Sequence, residues 1–507
     1  MKKFAAVFMA VVIIATAYIP SFALSEKCQC GESPVIYVAA LGSSPLTLDK
    51  GTENERTVFR PETDYVLKQF MPLVPAAFKL FATKNYNAFG DTLVGCVNSV
   101  FGELALDNEG NSSPRVTSKT FVPETDEHST DSSYYFGYDF RLDPVENAKK
   151  LHTYVQQVKE LTKHDTVRFR ASSMGGVVTM AYIRLYGSSD IETIIFQCCP
   201  LLGTAVAGEL FNGMVEINKN ALLRYAEQAL PSLDSDFLAA MLYEVVEMLE
   251  CFGVWDSLLQ IADKLVLNLK DRIYDECLIP IFSTMPGIWS FVPDEYYMTA
   301  KDYMRLDPAT HAVLIDKIDF YHYEIQSKAE ELLKGAQADG TNIYILAGYN
   351  MQRTPLVTAY KETSDATVDT KYASCGAVCA PLGEMLDDRY TQAAFNENNY
   401  ISPDRMIDAS TCILPESTWF VKDMLHSTIH DGHKKLYKIM LESDEQLTVF
   451  DYEEYPQFLQ NDTVNKTLTP VTEPKSELED SIHSVIYSTS LLNIVKLLNI
   501  VVKLFVR

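Results

Sequence analysis

The stretch that decides the fold is TVRFRASSMGG, residues 166–176. Its first six residues predict a buried strand, and residues 177–185 predict a helix. A serine between small residues at such a junction is typical of a sharp turn that lifts the hydroxyl above the edge of a sheet. The pattern Ala171-x-Ser173-x-Gly175 therefore predicts Ser173 as a nucleophile at a helix N-terminus, where developing negative charge is favoured.

Other segments predict the sheet to which this turn belongs. Short runs rich in apolar and β-branched residues predict buried strands at 35–41, 193–198 and 342–348. Helical periodicity runs over 143–162, where Pro144 suits the first turn. Because strands and helices alternate, we predict an α/β protein with a mostly parallel sheet and helices on both faces. The serine turn favours the α/β-hydrolase fold.

The chain has 507 residues, which is more than one ordinary hydrophobic core needs. Its composition also changes along its length. Leu, Met, Ala and Glu dominate from residue 205, and helical character continues to 334, which predicts a helical cap over 205–334 inserted into the core. The core then comprises residues 24–204 and 335–450. Residues 451–483 are acidic and rich in Pro, Thr and Glu, which predicts a linker.

The first residues have the features of an export signal. Lys2 and Lys3 precede an apolar run over 4–19, and Pro-Ser-Phe-Ala follows at 20–23. This pattern predicts a secretory signal peptide over residues 1–23, cleaved after Ala23, and a secreted or otherwise extracytoplasmic protein. An uncleaved membrane anchor is the alternative.

The last segment, 484–507, is almost wholly apolar and is predicted to form an amphipathic helix. Its polar residues fall on one narrow stripe of such a helix: Asn493, Lys496, Asn499 and Lys503. Lysines that extend from a narrow polar edge favour a position at a membrane interface. Docking on the domain and self-association are the alternatives.

The charge excludes one class of partner, and the cysteines identify neither a disulfide pair nor a metal site. The formal net charge is −25, and a surface this acidic repels phosphate backbones, so no nucleic-acid partner is predicted. Export would permit disulfides among the ten cysteines but identifies no pair. Cys375 and Cys379 have a metal-like spacing, but no second Cys or His pair stands out in the sequence, so neither a metal site nor a cofactor is predicted.

Several blocks of the chain, in order, resemble those of the lecithin:cholesterol acyltransferase and lysosomal phospholipase family and its bacterial relatives. The resemblance extends over residues 34–450. The blocks are the first strand with its loop, a Tyr-Asp-aromatic-Arg motif, the serine turn, Pro-x-x-Gly-Thr, a cap segment and an acid motif: 35–46, 138–141, 172–176, 200–204, 285–293 and 364–368. The resemblance implies a lipid-ester hydrolase or acyltransferase with a Ser-Asp-His triad.

The acid of that triad is implied by one of these blocks. Ser-Asp-Ala-Thr-Val at 364–368 resembles the Gly-Asp-Gly-Thr-Val motif that carries the family's acid, which points to Asp365. Its position beyond the strand at 342–348 agrees with the chain order serine, acid, histidine of this fold. Asp369 is the local alternative.

The base is a histidine that follows the acid in the chain. Four histidines follow Asp365: His426, His430, His433 and His483. His426 ends the segment 420–425, which leaves the last predicted strand, so His426 is the predicted base. His430 and His433 fall at a polar helix start and are predicted to be solvated.

The remaining predictions concern the acyl group. A tetrahedral intermediate needs two preorganised N–H donors. Met174 follows the nucleophile and is predicted as one, and the resemblance implies Leu41 as the other, where Ala39-Ala40 replaces the family's Pro-Gly. Apolar cap residues are candidates to line an acyl-chain pocket, and Trp289 is the one singled out.

The sequence leaves more than one function open. The first is a lipid-ester hydrolase or O-acyltransferase, of phospholipase or lipase type, that forms an acyl-enzyme on Ser173 and acts on a lipid or another acyl ester. The second is a non-catalytic relative that serves as a binding or scaffold protein of the cell envelope, suggested by Ser364 and Ala366 in place of the family's glycines. A peptidase or a non-lipid esterase on the same fold is the third.

Overall fold

A computed structural model describes residue 28 and residues 30–473, except 60, 62, 132, 217, 230–253, 394–396 and 427. The predicted signal peptide and the predicted C-terminal helix lie outside these residues. Among the helices that are described, none combines the length and the apolar character needed to cross a bilayer.

Fifteen strands are described, most of them short. In chain order they are β1 Val35–Val38, β2 Leu46–Leu48, β3 Arg56–Phe59, β4 Val116–Ser118, β5 Tyr134–Phe136, β6 Val167–Ser172, β7 Ile191–Gln197, β8 Asn342–Tyr349, β9 Met351–Gln352, β10 Thr363–Ser364, β11 Val378–Cys379, β12 Ile407–Asp408, β13 Thr418–Lys422, β14 Phe458–Asp462 and β15 Thr467–Pro470.

The α-helices are concentrated before β5, after the serine turn and in the predicted cap. In chain order they are α1 Thr63–Phe70, α2 Leu73–Thr83, α3 Tyr86–Phe101, α4 Pro144–Thr162, α5 Met174–Tyr186, α6 Ala205–Phe211, α7 Lys219–Ala229, α8 Val254–Ile273, α9 Ile279–Phe282, α10 Pro286–Trp289, α11 Asp294–Tyr303, α12 Pro308–Tyr321, α13 Ala329–Ala338, α14 Thr370–Ala373 and α15 Asp431–Glu442. Two π-helical turns, Tyr274–Leu278 and His322–Gln326, follow α8 and α12 directly.

An eight-stranded sheet forms the centre, in the order β15-β14-β13-β8-β7-β6-β1-β5. All neighbours are parallel except β14 and β15. Alternate residues of β7 face opposite sides, as the two-residue period of a strand requires. Ile194 and Phe196 join the core that includes residues of α4, α5 and α13, whereas Ile195 packs with Leu436 and Met440 of α15. The predicted α/β fold class is confirmed.

The order of the strands places a crevice beside β1. The chain passes from β1 to β5 on one side and then to β6 on the other side of β1. In open α/β sheets, ligands bind at the carboxyl ends of the strands where the order reverses in this way. The serine turn follows β6, so it lies at this edge.

A second insertion lies between β1 and β5, inside the part predicted as core. Strands β2, β3 and β4 form an antiparallel sheet of their own, and α1, α2 and α3 follow β3. Helix α3 packs against α8 of the cap, where Arg272 pairs with Asp91 at 2.6 Å. The cap therefore rests partly on this second insertion.

The predicted cap is mostly helical over its described residues, and its C-terminal part packs on the main core. Tyr321, Ile325, Ala329 and Leu333 are buried in the main core, in the same cluster as α5. The helical periodicity of this segment does not reveal what its apolar face contacts, which is why the sequence assigned it to the cap. Residues 321–338 instead form part of the helical layer over the sheet.

The predicted linker over 451–483 is wrong for the residues that the structure describes. Strand β14 pairs in parallel with β13, and β15 pairs with β14. The indole N–H of Trp419 donates to the carbonyl of Tyr455 at 3.0 Å. The acidic, Pro-containing composition of this segment gave no indication of the two strands, whose apolar residues contribute to the core. Residues 474–483 lie outside the described part.

This correction predicts that a change in β14 destabilises the protein. Leu459 is fully buried, so Leu459→Ala should lower the free energy of unfolding by about 2–5 kcal/mol through lost burial and a cavity. The measurement is chemical unfolding followed by circular dichroism. Val464, in the turn after β14, is 87% exposed, so Val464→Ala should change the free energy by less than about 0.5 kcal/mol. Equal, small effects of the two changes would restore the linker interpretation.

Candidate active site

Ser173 occupies a strained turn between β6 and α5. Its backbone has φ 51° and ψ −122°, in the positive-φ region that residues other than glycine rarely adopt. The turn is held from both sides: the Ser173 N–H donates to the carbonyl of Gln197 at 3.0 Å, and the Ser173 carbonyl accepts from Gly176 N–H at 3.0 Å. The geometry is that of a nucleophile elbow, which aims the side chain out of the sheet.

Close packing explains the two glycines after the serine. A Cβ on Gly175 would lie 2.1 Å from the carbonyl oxygen of Val38, and one on Gly176 would lie 2.5 Å from Cβ of Cys199. The first turn of α5 therefore packs closely against the end of β1 and the residues that follow β7. Any side chain at Gly175 would force β1 and α5 apart, because the atom it meets is backbone.

His426 lies between Ser173 and Asp365. Its Nε2 is 2.9 Å from Ser173 Oγ, and its Nδ1 is 2.8 Å from Asp365 Oδ2. The other carboxylate oxygen of Asp365 accepts the N–H groups of Thr367 and Val368 at 3.0 and 2.7 Å. The carboxylate is thus held on both oxygens, and the three side chains form a continuous chain of hydrogen bonds.

The surroundings of His426 set its protonation. Burial disfavours the imidazolium and by itself lowers the pKa, but the charge and hydrogen bond of Asp365 raise it, and the net result is a pKa above the ordinary value of 6.5. A neutral His426 that donates from Nδ1 to Asp365 presents an unprotonated Nε2 to the serine hydroxyl. This arrangement suits a general base.

Asp369, the alternative acid, has a different role in the structure. Its carboxylate accepts from Arg353 Nη1 at 2.6 Å and from the N–H of Ala205 at 2.8 Å. Arg353 also contacts the carboxylate of Glu209 at 3.4 Å, and all three charged side chains are buried. This network joins α6 of the cap to the loop that carries Asp365.

The two predicted oxyanion donors lie in the two segments next to Ser173, the start of α5 and the loop after β1. Met174 is the first residue of α5, where backbone N–H groups have no acceptor within the helix. Leu41 lies in the loop after β1, on the wall of the cavity described next. The hydroxyl of Tyr138, from the Tyr-Asp-Phe-Arg block, donates to the carbonyl of Ala39 at 2.8 Å and so fixes this loop.

A cavity of about 580 Å³ opens over Ser173 and His426. Its walls are mostly apolar and come largely from the cap, as the sequence predicted in general terms: Val206, Ala207, Leu210, Phe211, Tyr274, Leu278, Phe282, Ile288, Phe291 and Met304. The sequence did not identify these residues individually, although the helical spacing of 207, 210 and 211 was a signal for a shared face. The volume and apolar lining are typical of a small-molecule site.

Trp289, predicted as an acyl contact, does not line this cavity. Its indole N–H donates to the carbonyl of Ser283 at 2.7 Å, and its ring packs edge-on against Phe211, with ring centroids 4.9 Å apart. The neighbouring Ile288 and Phe291 face the cavity instead. On a short helix, the choice of which residue faces inward depends on packing that the sequence does not show.

His430 and His433, predicted to be solvated, are both buried. His430 accepts the N–H of Gly432 at the start of α15, and its Nε2 lies 2.6 Å from Oδ1 of Asn461 in β14. Burial lowers the pKa of His433 to about 3, so this ring is neutral. Both histidines serve the helix start and its contact with β14, away from Ser173.

Comparisons with known proteins add little. No model of a known protein family matches the chain. No curated protein matches it in sequence. One solved structure to which it is similar is titled "The crystal structure of Tle4-Tli4 complex", with 12% identity and a TM-score of 0.25, over 64% of this chain and 75% of that chain. A likeness at this level supports no argument about function, which has to be inferred from the chain's own geometry.

The close approach of Gly175 to the Val38 carbonyl yields a prediction about the turn at Ser173. Gly175→Ala should destabilise the protein by about 1–3 kcal/mol, because the added methyl meets the Val38 carbonyl. Gly335 in α13 is the matched control: a Cβ there meets nothing within 4 Å, so Gly335→Ala should be neutral or stabilising. Thermal unfolding of both variants tests this. A Gly175→Ala protein as stable as wild type would contradict the close approach.

Proposed function

We propose that the chain is a serine-dependent hydrolase or acyltransferase of lipid esters that works through an acyl-enzyme on Ser173. The observation that carries the proposal is the hydrogen-bonded series Ser173–His426–Asp365 at the floor of an apolar cavity. The resemblance of the sequence blocks to the lecithin:cholesterol acyltransferase and lysosomal phospholipase family supports it independently.

In the acylation step, Ser173 Oγ attacks the ester carbonyl while His426 Nε2 accepts the hydroxyl proton. The carbonyl oxygen becomes an oxyanion, which the backbone N–H groups of Met174 and Leu41 stabilise. His426 then donates its proton to the departing alkoxide, the carbon–oxygen bond of the ester breaks, and the alcohol leaves. The acyl group remains on Ser173 as an ester.

In the second step, an acceptor takes the acyl group from Ser173. His426 removes a proton from water or an alcohol, which attacks the acyl-enzyme, and then returns a proton to Ser173 Oγ. Asp365 keeps the imidazole in the tautomer and orientation that both steps need, and it stabilises the imidazolium that forms. Hydrolysis and transfer use the same groups and differ only in the acceptor.

The cavity favours an acyl chain as the substrate group. Each methylene group that moves from water to an apolar wall stabilises the bound state by about 0.8 kcal/mol. A pocket lined in this way therefore favours long acyl chains. A peptide substrate would instead require polar partners for its backbone groups, and the cap contributes mainly aliphatic and aromatic side chains to the wall. Lipid esters are therefore the proposed substrate class.

Covalent labelling by a fluorophosphonate probe tests the nucleophile. Wild-type protein and Ser172→Ala should be labelled, because Ser172 Oγ is buried with no hydrogen-bond partner among the described residues and its loss removes nothing from the site. Ser173→Ala should not be labelled. Labelling that persists in Ser173→Ala would refute the assignment, and a wild-type protein that takes up no probe would favour a binding or scaffold role.

The substrate itself is sought by incubating lipid vesicles of mixed composition with wild type and with Ser173→Ala. Mass spectrometry of the lipids should show a product with wild type only. A new free fatty acid indicates hydrolysis, and a new acylated alcohol indicates transfer. Identical lipid profiles for the two proteins would contradict a lipid-ester substrate, even if the probe labels Ser173.

The raised pKa of His426 predicts the acid side of the pH profile. The active form is neutral at Nε2, so kcat/KM should fall as the pH drops through the His426 pKa, with a midpoint above 6.5. Asp365→Asn removes the negative charge and the charged hydrogen-bond acceptor that raise the His426 pKa, whereas burial remains. The midpoint should therefore move down, and the rate should fall by up to about 10⁴-fold. Ser172→Ala should retain the wild-type midpoint. An Asp365→Asn enzyme with an unshifted midpoint would contradict the coupling.

A further inference from the structure

At the edge of the sheet opposite Ser173, two cysteines and two histidines lie together. One ligand atom from each of Cys28, Cys30, His128 and His164 lies within 4.8 Å of all the others. Cys30 is exposed and the other three are half-buried. These side chains have no part in the mechanism above, and nothing in the sequence suggests the grouping because the residues are far apart in the chain.

The topology of the sheet brings these residues together. Cys28 and Cys30 precede β1, His128 precedes β5 and His164 precedes β6. These three strands are parallel neighbours, in the order β5-β1-β6, so the segments that enter them meet at one edge. The backbone N–H of Cys28 donates to the carbonyl of Lys163 at 3.0 Å, which holds the first segment against the third.

The two distances from Cys30 to the histidines match those of a tetrahedral metal site. Cys30 Sγ lies 3.5 Å from Nε2 of His128 and 3.4 Å from Nε2 of His164. For zinc with Zn–S of about 2.3 Å and Zn–N of about 2.0–2.1 Å, a tetrahedral angle places sulfur and nitrogen about 3.5–3.6 Å apart. The nitrogens therefore lie where shared ligation would place them.

The outer partner of His128 suits metal binding as well. Nδ1 of His128 lies 2.8 Å from the carbonyl of Asp126, an acceptor that keeps the proton on Nδ1 and leaves Nε2 free to bind. The backbone N–H of Glu32 donates to Sγ of Cys30 at 3.4 Å and so fixes the position of the sulfur. Histidines that bind metals usually have such a partner on the second nitrogen.

We propose that Cys28, Cys30, His128 and His164 bind one zinc ion. Two thiolates and two neutral imidazoles are a preferred donor set of structural zinc sites, and four protein ligands leave no position for substrate. On binding, both thiols lose their protons to solvent, so the two thiolate charges balance the charge of Zn²⁺. The site joins the segments that precede β1, β5 and β6.

The site is structural because of its distance from the reacting groups. His164 precedes β6 and Ser173 follows it, and the six residues of β6 span about 20 Å. The ion would therefore stabilise the edge of the sheet at which these strands begin and take no direct part in the chemistry at Ser173. Its loss should affect unfolding more than the reaction.

Metal content tests the site directly. The full chain is purified under reducing conditions, stripped by a chelator, reconstituted with zinc and freed of excess metal before elemental analysis. Wild type should bind one zinc per chain, and Cys30→Ser and His164→Ala should lose it. Cys379→Ser and His311→Ala, at half-buried residues outside the cluster, should retain it. A wild-type zinc content equal to that of Cys30→Ser overturns the proposal.

Two further measurements separate a specific site from loose association. Substitution by Co²⁺ should give the intense visible bands of a tetrahedral site together with a thiolate charge-transfer band, and Cys30→Ser should lose the latter. A chelator should lower the thermal midpoint of wild type and leave that of Cys30→Ser unchanged. A Cys28–Cys30 disulfide in protein isolated without reductant, or an octahedral Co²⁺ spectrum, would also overturn the proposal. None of these readouts depends on activity at Ser173.

Discussion

The contact between Gly175 and the carbonyl of Val38 is the constraint on which the site depends. It allows α5 to begin directly against the end of β1, and it leaves Ser173 at a positive φ in the turn between β6 and α5. The same approach places the loop after β1, with Leu41, beside the first turn of α5. One backbone contact thus sets the position of Ser173 and of the first turn of α5 relative to the loop that carries Leu41.

The other half of the site depends on buried charge. Arg353 lies between Asp369 and Glu209, so the loop carrying Asp365 and helix α6 of the cap are held by the same guanidinium. Removing one partner of such a buried group leaves an uncompensated charge and costs several times more than a surface ion pair contributes. The cavity wall and the loop that carries Asp365 are therefore linked through one buried network of charges.

The sequence predicted the features that depend on residues close together in the chain. It failed for the features that depend on contacts between distant residues. Strand, serine turn and helix follow one another directly, and the fold fixes the chain order of acid and base, so the candidates Ser173, Asp365 and His426 could be named and the structure brings them together. Trp289 was misplaced because packing decides which face of a short helix is inward. The metal-ligand grouping was missed because Cys30 and His128 are 98 residues apart and meet only through strand order. Strands β14 and β15 were hidden by an acidic composition.

The ends of the central sheet have a consequence for association between molecules. An unpaired strand offers its N–H and C=O groups to any other extended chain, and proteins limit this by short or proline-containing border strands. Among the described strands, one border is β5, only three residues long, and the other is β15, which ends at Pro470. Both borders are thus poor templates for the growth of intermolecular β-structure, which protects a protein with an apolar cavity when it is concentrated.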